Sequence, residues 1–365
     1  MKKALIAMSG GVDSSVAVRL LQQAGYDCEG VNLTLYRNTD LGLACHKSCC
    51  TQADADDAAD AAFRLGIPFE VLDLRGLFRQ TVMEDFVRGY EAGETPNPCL
   101  VCNREIKFDY LLRHARAQGF DCLATGHYVR CAFDEAAGRW VMRKALDAGK
   151  DQSYVLYMLR QSQLRDLRFP LGDYRKEEVR HLAAELDLVT AKKPDSQDIC
   201  FVPDGDYAAF LERFGDKRYP PGDFLDESGR VLGRHRGAVR YTLGQRRGLG
   251  LPTGERIYVC GKDMARNTVT LGPERSLYRR ELVADRVNWL SIPEPDGPIR
   301  VRAKARYRQQ EQPALLYPLP GHRVRLVYDE PQRALTPGQA VVFYEGELVL
   351  GGGTIRQVPE PDHRN

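Results

Sequence analysis

The residues from Ser9 to Ser15 have types and spacing that suit phosphate chemistry. They read Ser-Gly-Gly-Val-Asp-Ser-Ser and join an apolar run, Ala4 to Met8, to a segment with helical periodicity. The two glycines permit a tight turn with positive φ, and Ser14 or Ser15 is predicted to cap the helix. Main-chain N–H groups and the positive end of the helix dipole would then point at one place, which suits a pyrophosphate group. A glycine-rich strand-to-helix turn without a ligand is the alternative interpretation.

Binding of a nucleotide by a P-loop is not indicated. That loop needs a Gly-Lys pair followed by Ser or Thr. The Gly-Lys pairs of this chain, at Gly149-Lys150 and Gly261-Lys262, are each followed by Asp. The sequence therefore predicts a pyrophosphate site at Ser9–Ser15 and argues against γ-phosphoryl transfer.

Ten cysteines supply a second kind of chemistry. Cys99 and Cys102 follow the rigid segment Thr95–Pro98 and open a predicted helix, whose positive end favours a thiolate. Such a thiolate could act as a nucleophile or bind a metal ion, but without a second Cys-x-x-Cys pair a closed structural zinc site is not expected. Two further segments of the sequence contain cysteines. One contains Cys200, and the other contains Cys45, Cys49 and Cys50. The remaining cysteines lie in or beside strand-like segments and are interpreted as small structural residues: Cys28, Cys122, Cys131 and Cys260.

Two basic segments lie in the second half of the chain. From Ile299 to Arg308, cationic residues alternate with other residues, so a strand here would place five cations on one face. Between Ser228 and Gly254 there are six arginines and no acid. Contact with phosphates is the favoured interpretation of both segments, and a solvated surface is the alternative. Tyr307 could stack on a base or pack in the core.

The elements expected to position these residues change in character along the chain. Strand and helix patterns alternate up to about residue 125, which predicts an α/β fold with a doubly wound parallel sheet. Ligands of such sheets bind at the carboxyl ends of the strands, where Ser9–Ser15 and Thr125–Tyr128 both fall. Helical patterns continue through Tyr154–Leu159 and Lys176–Leu186. Beyond Asp216, short strand-like segments predict small β domains.

The predicted organisation has four parts. Residues 1–215 form the catalytic α/β domain, 216–278 a small, mostly β central domain, 279–358 a C-terminal β-barrel, and 359–365 a polar tail. The chain from residue 216 onward carries 25 Lys and Arg against 18 Asp and Glu, whereas the first 215 residues are net acidic. This asymmetry indicates a nucleotide-handling domain joined to a body that meets a polyanion.

The bulk properties are those of a soluble globular protein. Hydrophobic residues make up 43% of the 365 residues and charged residues 28%. No apolar run is long enough to cross a bilayer and no signal-peptide pattern is present, so a cytoplasmic protein without a membrane partner is expected. In that compartment the cysteines are expected to be reduced, catalytic or metal-binding.

Eight segments, spread in the expected order over nearly the whole chain, resemble those of the bacterial tRNA-specific 2-thiouridylases, which are PP-loop ATP pyrophosphatases of the adenine nucleotide hydrolase-like fold. They are Ser9–Ser15 (SGGVDSS), Thr95–Phe108 (TPNPCLVCNREIKF), Ala124–Tyr128 (ATGHY), Lys150–Tyr154 (KDQSY), Asp195–Pro203 (DSQDICFVP), Tyr241–Leu249 (YTLGQRRGL), Ala305–Gln309 (ARYRQ) and Thr336–Tyr344 (TPGQAVVFY). Each segment alone could be chance, but eight in register are not.

The resemblance implies ATP-dependent 2-thiolation of the wobble uridine, position 34, in tRNAs for Lys, Glu and Gln. The C2 oxygen of uridine is a poor leaving group until it is adenylated, and ATP with Mg²⁺ would supply that activation and release AMP and pyrophosphate. Sulfur would arrive on a cysteine persulfide, loaded by a persulfide sulfur-carrier protein. A second cysteine would release the sulfur by forming a disulfide bond.

The resemblance also assigns roles to individual residues. Cys200 would carry the persulfide, Cys102 would be the partner nucleophile, and Asp13 would take part in catalysis. The ATP site would comprise Ala7, Met8, Ser9, Gly10, Gly11, Val12, Asp13, Ser14, Leu33 and Gly126. The residues in contact with tRNA would be Asn97, Pro98, Cys99, His127, Lys150, Asp151, Gln152, Arg306, Tyr307 and Gln339.

Two departures from the family pattern leave alternatives open. Position 99 is Asp in some members and Cys here, so an iron–sulfur cluster on Cys99, Cys102 and Cys200 rivals the persulfide scheme. The Cys45, Cys49 and Cys50 cluster belongs to no family motif, and an incidental surface location is preferred over a metal or redox role. A PP-loop synthetase with a small-molecule acceptor is a further alternative, but it leaves the basic β-rich half unexplained.

Overall fold

The computed structural model describes residues 1–37, 41, 52–186, 199–252 and 255–359. Its strands are β1 Lys2–Ala7, β2 Tyr26–Thr34, β3 Phe69–Asp73, β4 Cys122–Thr125, β5 Val129–Asp134, β6 Arg139–Lys144, β7 Leu167–Arg168, β8 Gly222–Leu225, β9 Val231–His235, β10 Tyr258–Asp263, β11 Thr268–Gly272, β12 Tyr278–Trp289, β13 Ile299–Lys304, β14 Gln312–Leu319, β15 Arg323–Arg333, β16 Ala340–Glu345 and β17 Leu348–Gln357. Its α-helices are α1 Val12–Gln23, α2 Gln52–Arg64, α3 Arg75–Phe78, α4 Glu84–Glu91, α5 Pro98–Val101, α6 Leu111–Ala117, α7 Gln161–Leu164, α8 Lys176–Glu185 and α9 Tyr207–Gly215.

A parallel sheet with strand order β3-β2-β1-β4-β7 forms the centre of the N-terminal part. Side chains of β1 alternate between two hydrophobic clusters, since Ala4 and Ile6 pack with Val16 of α1 whereas Leu5 packs with Phe78 and Phe86 of the opposite layer. Both faces of the strand are therefore buried, as in a sheet with helices on both sides. The predicted doubly wound parallel sheet is confirmed.

Two long helices follow the third strand, and each contains a π-helical segment. Residues Arg79–Met83 join α3 to α4, and Cys102–Tyr110 join α5 to α6. The predicted helix at Tyr154–Leu159 is wrong, because only Ser153–Val155 form a short 3₁₀ turn. Tyr154 is fully buried there and its hydroxyl donates to the carbonyl of Ala340. Tertiary packing therefore overrides the local helical pattern.

The central and C-terminal parts are β structures, as predicted. Strands β10-β11-β8-β9 form one sheet around a cluster that includes Phe224, Tyr241 and Val259. Strands β12-β15-β14-β13-β16-β17 form a barrel, which closes among the described residues through pairing of β12 with β17.

A hairpin of the N-terminal part extends the barrel sheet. Strands β5 and β6 pair with each other, and β6 meets β17 at Arg143 and Leu348. This hairpin was not predicted from the sequence. One hydrophobic cluster contains both Tyr154 from the N-terminal part and Tyr344 from the barrel, so the two parts share a core.

Candidate active site

The turn between β1 and α1 is shaped by glycine. Gly10 has φ +70°, and a Cβ atom there would lie 2.2 Å from the carbonyl oxygen of Asp54. Gly126, at the end of β4, packs so closely that its Cβ would lie 2.8 Å from the carbonyl carbon of Asp13 and 2.9 Å from the nitrogen of Ser14. Larger residues would disrupt both contacts, so these glycines hold the turn against α2 and β4.

The capping role predicted for Ser14 or Ser15 is wrong. Gly11 is the N-cap of α1, in an extended conformation that suits that position. The hydroxyls of Ser14 and Ser15 donate to the carbonyl of Gly11 at 3.1 and 3.2 Å, and the main-chain N–H of Ser9 donates to Ser14 Oγ. No described side chain caps the helix, which leaves its first turn suited to bind an anion.

Two buried side chains hold the carboxylate of Asp13. Lys176 Nζ lies 2.8 Å from each carboxylate oxygen, and the hydroxyl of Tyr128 donates to one of them at 2.7 Å. Lys176 is 6% exposed. A buried cation thus lies beside the loop that the sequence predicts to bind pyrophosphate.

Lys176 was not predicted from the sequence. It is the first residue of α8, and a cation in the first turn opposes the helix dipole. This unfavourable location could have identified Lys176 from the sequence, because a lysine in the first turn of a helix needs a negatively charged partner from another element. Asp13 is 163 residues away in sequence, so no local pattern joins the two.

The other predicted ATP-site residues lie at the carboxyl ends of neighbouring strands. Met8 follows β1, Leu33 is near the end of β2, and Gly126 follows β4. The side-chain amide of Asn32 donates to the carbonyl of Met8 at 2.8 Å and joins the first two strand ends. This edge of the sheet, with the start of α1 and Lys176, fits a polyphosphate by charge and by close backbone approach.

The Cys-x-x-Cys pair lies at the start of a helix, as predicted. Asn97 is the N-cap of α5 and its side chain accepts from the main-chain N–H of Cys99 at 3.1 Å, while Pro98 occupies the first turn. Cys99 is exposed and Cys102 is buried. The two thiols therefore differ in access to solvent.

Cys200 is half-buried and lies beside an aromatic cluster. Its carbonyl accepts from the hydroxyl of Tyr36 at 2.5 Å, and the next residue, Phe201, packs edge-on against Phe78 and Phe86. Cys200 and Cys102 contact the same hydrophobic cluster. The segment 195–198, which precedes Cys200, lies outside the described residues, as do Cys45, Cys49 and Cys50.

The described thiols are neither cross-linked nor arranged as a metal site. The cysteines without a disulfide bond include Cys99, Cys102 and Cys200. In the part of the chain that the structure describes, no group of three Cys, His, Asp or Glu side chains is arranged to hold a metal ion.

Several residues predicted to contact tRNA gather around Tyr307. This side chain is 41% exposed, and its hydroxyl donates to the carbonyl of Asp151 at 3.5 Å. The pKa of Tyr307 is raised by desolvation and by Asp151 and Cys99, and the cations Lys150 and Arg308 oppose that shift. An exposed ring, two cations and the Cys99 thiol thus lie in one neighbourhood.

The side chains of Asp151 and Gln152 are directed at the protein itself. Asp151 accepts from the main-chain N–H of Ala145 and from the Ser153 hydroxyl, at 3.0 and 2.7 Å. Gln152 accepts from the N–H of Tyr128 at 3.0 Å. These bonds fix the segment that carries Lys150.

His127 is held between aromatic rings. It forms a 2.8 Å hydrogen bond with Thr125 through Nδ1, and its ring centroid lies 5.6 Å from Phe108 and 6.5 Å from Phe169. Burial and, to a lesser extent, Lys107 lower the pKa of His127 well below its usual value. At neutral pH the imidazole is therefore uncharged, and any contact with tRNA would use a neutral ring.

The strand predicted to place five cations of Ile299–Arg308 on one face is shorter than expected, and two of these cations have acid partners. Strand β13 ends at Lys304, Arg300 forms a two-pronged ion pair with Asp329, and Arg302 lies 3.8 Å from the carboxylate of Glu311. These acids come from β15 and from the loop before β14, which the alternation pattern cannot reveal.

Arg306 is also occupied within the protein. It is half-buried and donates to the carbonyl of Ala334 at 2.7 Å and to Thr336 Oγ1 at 2.9 Å. Gln339 donates through its amide to the carbonyl of Thr95 at 2.6 Å. Both residues join parts of this chain, whichever contacts they make with tRNA.

The arginine-rich segment from Ser228 to Gly254 is partly neutralised. Three of its arginines pair with acids outside the segment: Arg230 with Asp226, Arg234 with Asp223, and Arg240 with Glu212. Arg236, Arg246 and Arg247 are exposed, and no ion pair joins them to a described acid. They are the cations of this segment best suited to a polyanion.

Models of three protein families match successive parts of the chain. They are described as tRNA methyl transferase HUP domain, over residues 2–204, tRNA methyl transferase PRC-barrel domain, over 208–273, and Aminomethyltransferase beta-barrel domain, over 279–355. No helix in the described ranges has the length and apolar character that a membrane span requires.

Curated proteins match over almost the full length. The chain is 46% identical to the tRNA-specific 2-thiouridylase MnmA of Acetivibrio thermocellus, a match that covers 97% of this chain and 99% of the relative. It is 49% identical to the protein of the same name from Moorella thermoacetica, over 98% and 100%. A third relative of that name, from Roseiflexus castenholzii, is also 49% identical, over 97% and 99%.

Proposed function

The chain belongs to the family of tRNA-specific 2-thiouridylases, and from this premise we propose that it converts the uridine at position 34 of tRNA to 2-thiouridine at the expense of ATP. It is a sulfurtransferase of the PP-loop class. The matched domain models carry names that mention methyl transfer, whereas the relatives matched over the full chain are named thiouridylases. The cysteines at positions 102 and 200 would provide the sulfur chemistry that thiolation needs.

The proposal is carried by a series of contacts that leads from the phosphate loop to Tyr307, a residue whose pKa the Cys99 thiol influences. The carboxylate of Asp13 accepts a hydrogen bond from the hydroxyl of Tyr128, and the main-chain N–H of Tyr128 donates to the side chain of Gln152. The neighbouring carbonyl of Asp151 accepts from the hydroxyl of Tyr307, and the Cys99 thiol is among the groups that raise the pKa of Tyr307. An activated uridine held near Tyr307 would therefore lie between a site for polyphosphate and a site for sulfur chemistry.

ATP would activate the uridine for attack. The turn at residues 9–14, the start of α1 and Lys176 would bind the phosphates, and Mg²⁺ would offset their charge. Attack of the uridine C2 oxygen on the α-phosphorus would release pyrophosphate and leave AMP on the base. The C2 oxygen would then depart as part of AMP.

Sulfur transfer would use two of the cysteines. The outer sulfur of a persulfide on Cys200 would attack C2 and expel AMP, which joins the base to Cys200 through two sulfur atoms. The Cys102 thiolate would attack the Cys200 sulfur, so that the outer sulfur stays on C2 and a Cys102–Cys200 disulfide forms. A thiol reductant would restore both cysteines, and a persulfide sulfur-carrier protein would reload Cys200.

The direct test is nucleoside mass spectrometry of tRNA after incubation with the protein, ATP and a persulfide donor. We expect 2-thiouridine to appear in tRNAs for Lys, Glu and Gln, with one AMP formed per sulfur inserted. Transcripts with cytidine at position 34 serve as the matched control and should remain unmodified. AMP formation without 2-thiouridine, or thiolation without ATP, would contradict the proposal.

Replacement of Arg236, Arg246 and Arg247 by alanine is expected to weaken tRNA binding and to reduce its dependence on salt. Each lost phosphate contact removes roughly one unit from the slope of log K against log salt, so the loss could reach about three units. The control replaces Arg230, Arg234 and Arg325, which already have acid partners. Equal slopes for the wild-type protein and the first variant would show that these arginines do not contact phosphates.

A further inference from the structure

The C-terminal barrel forms an ion pair and hydrogen bonds with the loop that precedes the Cys-x-x-Cys pair. Arg356 of β17 forms an ion pair with Glu94 at 2.6 Å and with Asp285 of β12 at 2.9 Å. Gln339 donates to the carbonyl of Thr95 at 2.6 Å, and the N–H of Thr95 donates to the carbonyl of Pro337 at 2.9 Å. We call Pro337, Gln339 and Arg356 the barrel clamp.

The barrel clamp is itself well anchored. Gly338 donates to the carbonyl of Ile355, and Ile355 donates to the carbonyl of Gln339, so the turn is tied to β17. Gly338 has φ +89°, and a Cβ atom there would lie 2.8 Å from Glu94 Cβ and 3.0 Å from Thr95 N. The close approach of loop and barrel therefore depends on this glycine.

The loop held by the barrel clamp has little conformational freedom, so a shift of this loop would move the thiols. Pro96 and Pro98 fix two of the backbone φ angles of the loop. Pro96 also packs against Gly89 of α4, where an added Cβ atom would lie 2.8 Å from the proline ring. Asn97 caps the helix that carries Cys99 and Cys102. A displacement of Glu94 and Thr95 would shift the start of this helix.

We propose that Glu94, Gln339 and Arg356 are positioning residues for sulfur transfer, through which the barrel sets the location of the Cys99–Cys102 helix start. None of the three needs to touch the uridine. The inference rests on the proposed function, because it names what aligns the thiol with the activated base. Gln339, which the family resemblance assigns to tRNA contact, acts here by holding the main chain of Thr95.

The first test is Glu94→Ala. We expect the kcat of thiolation to fall about tenfold, because small misplacement of a reacting group is costly, while the KM for tRNA changes less than about twofold. Cys102, which is buried in the wild-type protein, should react several times faster with iodoacetamide. Glu94→Gln should recover part of the activity, since its amide oxygen can still accept from Arg356.

Glu94→Ala leaves intact the Arg356–Asp285 pair, which joins β17 to β12, so the barrel should still fold. The matched control is Arg325→Ala, which removes an equally short ion pair, with Glu281, on the outside of the barrel. Gln339→Ala should also lower the kcat of thiolation, because it removes the bond to the Thr95 carbonyl.

Three results would overturn the inference: an unchanged kcat in Glu94→Ala, an equal loss in Arg325→Ala, or a loss that lies wholly in tRNA affinity. Failure of the proposed function gives a different result, because the wild-type protein would then not thiolate tRNA. The iodoacetamide reaction of Cys102 needs no tRNA. If Glu94→Ala leaves the rate of this iodoacetamide reaction unchanged, the barrel clamp does not position Cys102, whether or not the protein thiolates tRNA.

Discussion

Cys200→Ser and Cys102→Ser proteins are expected to lose tRNA thiolation by at least about a hundredfold while they retain affinity for ATP and tRNA. Serine nearly preserves the volume of cysteine, but its oxygen can neither carry persulfide sulfur nor form a disulfide bond. Cys102 is buried and Cys200 is half-buried beside Phe201, so a change of this size should leave their surroundings in place.

The measurement is 2-thiouridine formation under single-turnover conditions, followed by mass spectrometry of the protein. After one turnover, the wild-type protein should contain a Cys102–Cys200 disulfide. Cys131→Ser is the matched control, because burial raises the pKa of Cys131 to about 12 and makes its thiol unreactive. Normal thiolation by Cys200→Ser would remove the persulfide scheme.

Cys99→Ser separates the persulfide scheme from the iron–sulfur alternative. If sulfur passes through Cys200 and Cys102, iron-free Cys99→Ser protein should keep substantial activity. If the three thiols bind a cluster, the same variant should lose iron and activity together. Iron content and the visible spectrum of protein purified without oxygen provide the second readout.

Most features that depend on near neighbours in the chain were predictable, although the N-cap of α1 is Gly11 and not Ser14 or Ser15. The apolar run of β1, the Gly10-Gly11 turn and the periodic pattern of α1 lie within 23 residues, and each is set by local preferences and by burial of one face. The same holds for Asn97 and Pro98, which begin the helix that carries Cys99.

Features that depend on distant partners were not predictable. The alternation from Ile299 onward gave no sign that Asp329 and Glu311 would neutralise Arg300 and Arg302. The hairpin of β5 and β6 has ordinary strand residues, but its pairing with β17 spans about 200 residues of sequence. Such contacts follow from how the two parts pack on each other and leave no periodic signal.

Lys176→Met is expected to reduce AMP formation by about a hundredfold or more. The ammonium group lies 2.8 Å from both oxygens of Asp13, at the start of the helix proposed to bind phosphates. It holds the Asp13 carboxylate in place, and in the proposed mechanism it would supply positive charge where negative charge builds up as pyrophosphate leaves. Methionine nearly matches the length of lysine and removes only the charge and the hydrogen bonds.

Loss of a positive charge next to Asp13 would also destabilise the fold, and this effect must be separated from catalysis. The double variant Asp13→Asn with Lys176→Met removes both charges, so its thermal stability should recover toward that of the wild-type protein. Its AMP formation should not recover, because the phosphates still lack a cation. Lys217→Met, which breaks the exposed pair with Glu91, should change neither quantity much. Full AMP formation by the double variant would mean that Lys176 serves only to neutralise Asp13 in the folded protein.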